Sequence, residues 1–201
     1  MRKTLFISMM VSFVIFILFS PVFIRLILYL HPIVLIVVLF CIVWLVLWLL
    51  LFIRKETINL PYPLFLGGLT LYTVALVILL FFRPNEQSYH SMNLVPFSTV
   101  AFYLSGKVNW LISFYNLAAN IGLFLPYGLF LRCKQFSQWK ALFIASLMIA
   151  CIEVLQFVSH RGSLDIDDLI LNLLGIYLGC VLFPLVKQVV NIPNIKGPID
   201  R

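Results

Sequence analysis

Charged and strongly polar residues are bunched along this chain, and the bunching leaves six long apolar stretches at residues 4–24, 32–53, 64–82, 110–131, 140–158 and 168–186. A helix rises about 1.5 Å per residue, so roughly 20 residues cross the ~30 Å hydrocarbon layer of a bilayer. The pattern predicts an all-α, polytopic integral membrane protein of about six transmembrane helices. In the fourth stretch the purely apolar part, Leu117 to Leu131, is short, and it needs Trp110 to Asn116 as an outer extension. Arg2 and Lys3 ahead of the first stretch resemble the start of a signal peptide. The run that follows is long and lacks an A-x-A-like site, so it reads as an uncleaved first helix.

Composition narrows the class further. The chain is 63% hydrophobic and 10% charged, against about 25% charged in soluble domains. A soluble core of this length would leave much apolar surface in water, and a disordered chain would be apolar-poor, so both are excluded. The net charge of +7 is a matter of membrane orientation and gives no reason to expect nucleic acid as a partner. Ten Lys and Arg residues fall on the side of the N-terminus, the second and fourth connections and the tail, while Arg25, Arg83, Lys107 and Arg161 make four on the other. The imbalance predicts both termini in the cytoplasm, with Trp139 at the inner interface and Trp110 at the outer one. Residues 1–58 then form an N-terminal transmembrane hairpin, 64–187 the main membrane domain and 188–201 an unstructured cytoplasmic tail.

Against this topology the polar residues of the last three spans all fall in the outer half. Asn116 and Asn120 lie near the outer end of the fourth span, and Glu153 and Gln156 near the exit of the fifth, followed by His160 and Arg161. Asp165, Asp167 and Asp168 open the sixth span, with Asn172 one turn deeper. Since positions i, i+3 and i+4 share a helix face, Glu153 pairs with Gln156 and Asp168 with Asn172. An acidic residue inside a span costs about 2.5 to 3.5 kcal/mol on insertion scales unless it meets protein or water. Glu153 is therefore either a polar contact that fixes helix packing or the carboxylate of a site. Asp165 and Asp167 have a plain reading as cap and dipole complement of the sixth helix, which leaves Asp168 as the stronger functional candidate. The acidic group has no metal-specific spacing, and no metal or cofactor is expected.

Gly122, Pro126 and Gly128 are expected to loosen the fourth span, and Gly175 and Gly179 to admit a neighbouring helix. Gly67 and Gly68 carry the expectation of a close helix contact or kink in the third span. Cys41, Cys133, Cys151 and Cys180 form no CxxC pair and read as small buried hydrophobes. The outer loop from Pro84 to Asn109 mixes turn and apolar residues at its centre, Asn93 to Phe97. It reads either as a surface turn or as a segment dipping into the outer leaflet.

Four patterns, taken in order, resemble the VanZ-like family of membrane proteins associated with teicoplanin and lipoglycopeptide resistance in Gram-positive bacteria. They are Asn93-Leu94-Val95-Pro96-Phe97; Asn120, Phe124, Pro126 and Gly128; Glu153, Gln156 and Phe157; and Asp165, Asp168, Asn172 and Gly175, with Arg161 just before that run. The resemblance spans about residues 90–180. It implies a multi-pass protein of the plasma membrane and a binding region that includes Asn93, Asn120, Glu153, Gln156, Arg161, Asp165, Asp168 and Asn172.

Three functions stay open at this point. One is non-enzymatic engagement of a lipoglycopeptide or a lipid-linked wall precursor among the membrane lipids. A second is an intramembrane enzyme using Glu153 and Asp168 as catalytic carboxylates. The third is a transporter. The sequence names neither a ligand nor an oligomeric state.

Overall fold

The computed structural model describes residues 2–27, 33–81 and 92–192. His31, Arg83, His90, Lys196 and Arg201 lie outside them, as do the first residues of the long outer loop. Eight helices and four two-residue strands follow in order. They are α1 (Arg2–Leu18), α2 (Ser20–Ile27), α3 (Ile33–Arg54), β1 (Ile58–Asn59), α4 (Tyr62–Phe81) and β2 (Met92–Asn93). The second half contributes α5 (Ser98–Leu104), α6 (Trp110–Cys133), α7 (Gln138–Val158), β3 (Leu164–Asp165), α8 (Ile166–Lys187) and β4 (Val190–Asn191).

Among the described residues, α4, α6, α7 and α8 are long and apolar enough to cross a membrane, and they fall on the third to sixth apolar stretches. The N-terminal stretches are less simple. The first is a 17-residue helix and an 8-residue helix that meet at Phe19. Pro21 is the local cause, because it has no N–H to continue the ladder. The Val22 N–H bonds the Phe19 carbonyl in a tighter i→i−3 turn at 2.9 Å, and the Phe23 N–H resumes the i→i−4 ladder on the same carbonyl at 3.1 Å.

The described chain forms two compact units. The first joins Met1–Asn59 to Pro184–Asn191, and the second is built on Leu60–Phe183. In the first unit, Thr4, Ser8 and Ser12 recur every four residues on one face of α1 and are fully buried. Small side chains at this spacing let a neighbouring backbone come close, and α3 is the helix that packs there. Thr4 donates through Oγ1 to both carboxylate oxygens of Glu56, at 3.0 and 2.9 Å, and accepts from Arg54 at 3.1 Å. The Thr4 hydrogen bonds, assisted by the Arg54 charge, hold the Glu56 carboxyl below its ordinary value.

The ordered chain continues past Lys187, where the sequence pattern places an unstructured tail. Val189 is buried against Leu47 and Leu51, its carbonyl accepts the Ile58 N–H at 2.8 Å, and β4 pairs in parallel with β1. Burial of one valine and closure of a short ladder hold this segment against the unit. Residues 193–201 of the expected tail lie outside the described residues.

In the second unit the core joins Leu76 and Leu80 of α4, Phe124 and Leu131 of α6, Ala141, Ala145 and Ile149 of α7, and Ile176 and Cys180 of α8. Each span still exposes large apolar side chains, such as Leu71, Phe143 and Trp139, which is the surface a bilayer accepts. Trp110 and Trp139 are both exposed at the first turns of α6 and α7. Cys133 and Cys180 are buried and Cys151 is exposed; the Cys41 side chain lies outside the described residues.

Helices α6 and α8 approach backbone to backbone. A methyl group on Gly175 would overlap the carbonyl oxygen of Ile121, one on Gly179 that of Leu125, and one on Gly128 that of Ile176. This is the close approach expected of Gly175 and Gly179, and Gly128 supplies its matching face. Gly67 and Gly68 have no neighbour within 4 Å of a Cβ position and lie inside unbroken α4. Among the described residues they therefore make no close helix contact. Helix α6 likewise runs through Pro126 without interruption, so the expected loosening leaves no break.

Two glycine substitutions separate contact from propensity. Gly175→Ala is expected to lower stability by about 1–3 kcal/mol, because the new methyl must push α6 away. Gly122→Ala, with open space around it, is expected to be neutral or to stabilise by up to about 1 kcal/mol. Unfolding of the detergent-solubilised chain checks both; equal effects would remove the close-packing account.

Candidate functional site

At the end of the second unit where α8 begins, a short segment folds onto that helix. Strand β2 pairs in parallel with β3, setting Met92 opposite Leu164 and Asn93 opposite Asp165. After the turn at Pro96, Phe97 takes a left-handed backbone conformation, φ 64°, and the seven-residue α5 starts. A left-handed aromatic residue is strained and persists only when its surroundings hold it. Phe97 has no side-chain cap of its own to offer α5.

Asp167 provides both the cap and the restraint. Its Oδ1 accepts the Phe97 N–H at 2.5 Å, and its Oδ2 accepts those of Thr99 and Val100 at 2.7 and 3.1 Å. The side chain is fully buried, so these bonds replace the hydration it gives up. Sequence reasoning gives Asp167 to its own helix. In the structure it caps α5, 67 to 70 residues earlier in the chain. Only the tertiary fold makes that partner visible.

Asp165 does serve its own helix. It precedes α8, and its Oδ1 accepts the Asp167 N–H at 2.9 Å, the usual N-cap bond. Its other oxygen accepts from the Thr99 hydroxyl at 2.6 Å. Asn93 donates through Nδ2 to Ser98 Oγ and Thr99 Oγ1, at 2.6 and 2.9 Å, and reaches Asp165 at 3.4 Å. Ser98 and Thr99 are thus members of this cluster that motif reading missed. A signal existed in the two hydroxyl residues that follow the Pro-Phe turn, which is a common helix-start composition. Leu94, Val95 and Phe97 remain exposed around the polar knot, so the segment presents an apolar tip.

Deeper in the unit, Asn120 of α6 donates to Asp168 of α8 at 2.5 Å, joining two helices through polar atoms. Glu153 and Gln156 of α7 are buried, and Gln156 Nε2 donates to the Leu80 carbonyl of α4 at 3.0 Å. Asn172 is also buried; its Oδ1 finds no donor among the described residues, and neither does the buried Ser113 hydroxyl. Orphaned buried acceptors are rare and draw attention to what they face. Asn116 bonds back within its own helix, to Ile112 O at 3.0 Å.

His160 and Arg161 are exposed and shape the end of α7. His160 occupies the left-handed position, φ 57°, while its N–H donates to Phe157 O at 3.1 Å and that of Arg161 to Gln156 O at 2.8 Å. That pair of bonds is a Schellman closure, usually built on glycine. It turns the chain toward β3 and leaves Arg161 exposed. The structure therefore brings Asn93 to Asp165, Asn120 to Asp168 and Gln156 to α4. Among the described residues no three His, Cys, Asp or Glu side chains converge in the way a metal ion would need.

Residues 69–187 match the family model of the VanZ/LLP1 proteins. Protein VanZ of Enterococcus faecium is 28% identical over 134 residues, which cover 62% of this chain and 76% of the relative. Both agree with the resemblance carried by the four sequence patterns. No solved structure matches the chain.

The Asp167 cap yields a direct expectation. Asp167→Asn turns an amide donor toward backbone donors and should weaken the attachment of α5 by about 1–3 kcal/mol. The check is faster hydrogen exchange at Phe97, Thr99 and Val100 in the variant, with Asp168→Asn as the comparison that leaves those amides protected. Unchanged exchange in Asp167→Asn would remove the cap.

Proposed function

We propose, for a chain that belongs to the VanZ/LLP1 family, that this membrane protein engages an amphiphile at the outer leaflet through the polar cluster of α6, α7 and α8. The ligand is a lipoglycopeptide or a lipid-linked wall precursor, and engagement lowers teicoplanin susceptibility. In this reading the chain lies in the plasma membrane with both termini in the cytoplasm, so the end carrying α5 faces outward. The N-terminal hairpin of residues 1–58 stays outside the binding region.

The observation that supports the reading is the gathering of Asn120, Glu153, Gln156, Asp168 and Asn172 at one end of apolar spans. Holding such groups inside a bilayer is unfavourable unless they answer one another or a ligand. Some are answered internally, by the Asn120–Asp168 bond and the Gln156 bond to Leu80. The Asn172 carbonyl is not, and it offers an acceptor to a ligand hydroxyl or amide. Asn93 and Asp165 secure the loop above the cluster, and Arg161 supplies a positive charge beside it. A binding role needs only these contacts, whereas an enzymatic one would also require a reacting atom held between Glu153 and Asp168.

The test is susceptibility of a sensitive Gram-positive host expressing the wild-type chain, Glu153→Gln or Asp168→Asn, at membrane abundance matched by immunoblot. Protection against teicoplanin but not vancomycin, reduced at least about tenfold in each variant, is the expected result, the loss that about 1.4 kcal/mol would give if protection scaled with binding. Full protection in both variants would make the two acids structural and end the binding reading.

A further inference from the structure

Helices α4, α6, α7 and α8 enclose a cavity of about 300 Å³, within the size range of ligand pockets, ~300–1,000 Å³. Its walls are buried: Leu76, Phe124, Ala145, Ile149 and Ile176 are each no more than 5% exposed. Its rim is not, since Val77 on α4 and Met148 on α7 are 44% and 52% exposed. The cavity therefore opens sideways between α4 and α7, toward the medium around the spans.

The lining is almost wholly hydrocarbon. Its hydroxyls, on Thr73 and Tyr127, are already used: Tyr127 donates to Thr73 at 3.1 Å, and Thr73 donates to Leu69 O at 2.8 Å. Ordered water needs two to four polar partners, which this space does not offer. An empty space would forgo the dispersion contacts that an occupant restores. Because these helices cross a bilayer, the medium at the rim is lipid chain.

Length and position favour the same occupant. Along α4 the lining runs from Leu69 to Phe81, a rise of about 18 Å, close to the ~15 Å hydrocarbon depth of one leaflet. One end of the cavity meets the polar cluster. Leu80, whose carbonyl accepts from Gln156, lines it; so do Ile152, next to Glu153, and Ile176, one turn from Asn172.

We propose that the cavity holds one hydrocarbon chain of a membrane lipid, which enters between Val77 and Met148 and lies with its head at the polar cluster. The inference rests on the outer-leaflet reading for the position of the head. It assigns the ligand a class: an amphiphile with a single chain seated in the protein and a hydrogen-bond donor near Asn172.

The experiment places the full chain in phosphatidylglycerol vesicles containing a phosphatidylglycerol that carries a diazirine midway along one acyl chain. After irradiation, labelled residues are mapped by peptide mass spectrometry. Buried Leu76 and Ile149 should be labelled in the wild type, together with bilayer-facing Leu71 and Phe143. Ala145→Phe, which fills the wall, and Val77→Trp, which blocks the rim, should each lose the label at Leu76 and Ile149 but keep it at Leu71 and Phe143. Val77→Trp leaves the buried walls intact, so it decides the matter if Ala145→Phe fails to fold. Label confined to Leu71 and Phe143 in the wild type, or unchanged at Leu76 and Ile149 in Val77→Trp, would overturn the proposal. A labelled cavity in a chain whose Glu153→Gln and Asp168→Asn variants both protect cells fully would support the seated chain and overturn only the binding reading of the two acids.

Discussion

Asp167 is the residue on which the architecture of the candidate site depends. A fully buried carboxylate must have its lone pairs answered, and the answering donors are three backbone amides of a segment about seventy residues away. That requirement fixes where α5 begins and holds Phe97 in a backbone conformation it would otherwise avoid. It also brings Asn93 into register with Asp165. The β2–β3 pairing and the Thr99–Asp165 bond hold the same loop from its other side.

The glycine contacts do the complementary work inside the bilayer. Gly128, Gly175 and Gly179 let α6 and α8 meet along their backbones, which brings Asn120 within hydrogen-bonding distance of Asp168. In lipid there is little hydrophobic gain from joining two apolar helices, so close packing and polar bonds carry the association. In the proposed reading, side chains poorly suited to hydrocarbon stand near one end of an apolar cavity. An amphiphile matches both environments at once.

Much of this was legible in the chain itself, because bilayer thickness imposes long apolar runs and because a carboxylate such as Glu153 stands out within one. Gly175 and Gly179 were legible too, from their spacing on one helix face. What could not be read were partnerships that depend on distant segments. Asp167 looks like an ordinary helix-start acid until α5 is seen against it. Val189 looks like part of an unstructured tail until Leu47 and Leu51 are seen to cover it. Pro126 suggested a loosened span where α6 runs on without interruption, whereas the interruption of the first stretch beside Pro21 was not foreseen. The left-handed residues Phe97 and His160 were invisible for the same reason, since tertiary contacts and helix closures, not local propensity, select them.

The binding proposal requires the aspartate-capped loop and the polar cluster beneath it to face the outside of the cell. Cysteine accessibility tests this most directly. In a chain with Cys41, Cys133, Cys151 and Cys180 replaced by alanine, Ser159→Cys reports the α5 end of the second unit. Gln135→Cys, after α6, reports the opposite end. The account predicts that a membrane-impermeant maleimide labels Ser159→Cys in intact cells and Gln135→Cys only after permeabilisation. Labelling of Gln135→Cys in intact cells, with Ser159→Cys protected, would put the cluster on the cytoplasmic side and contradict the account.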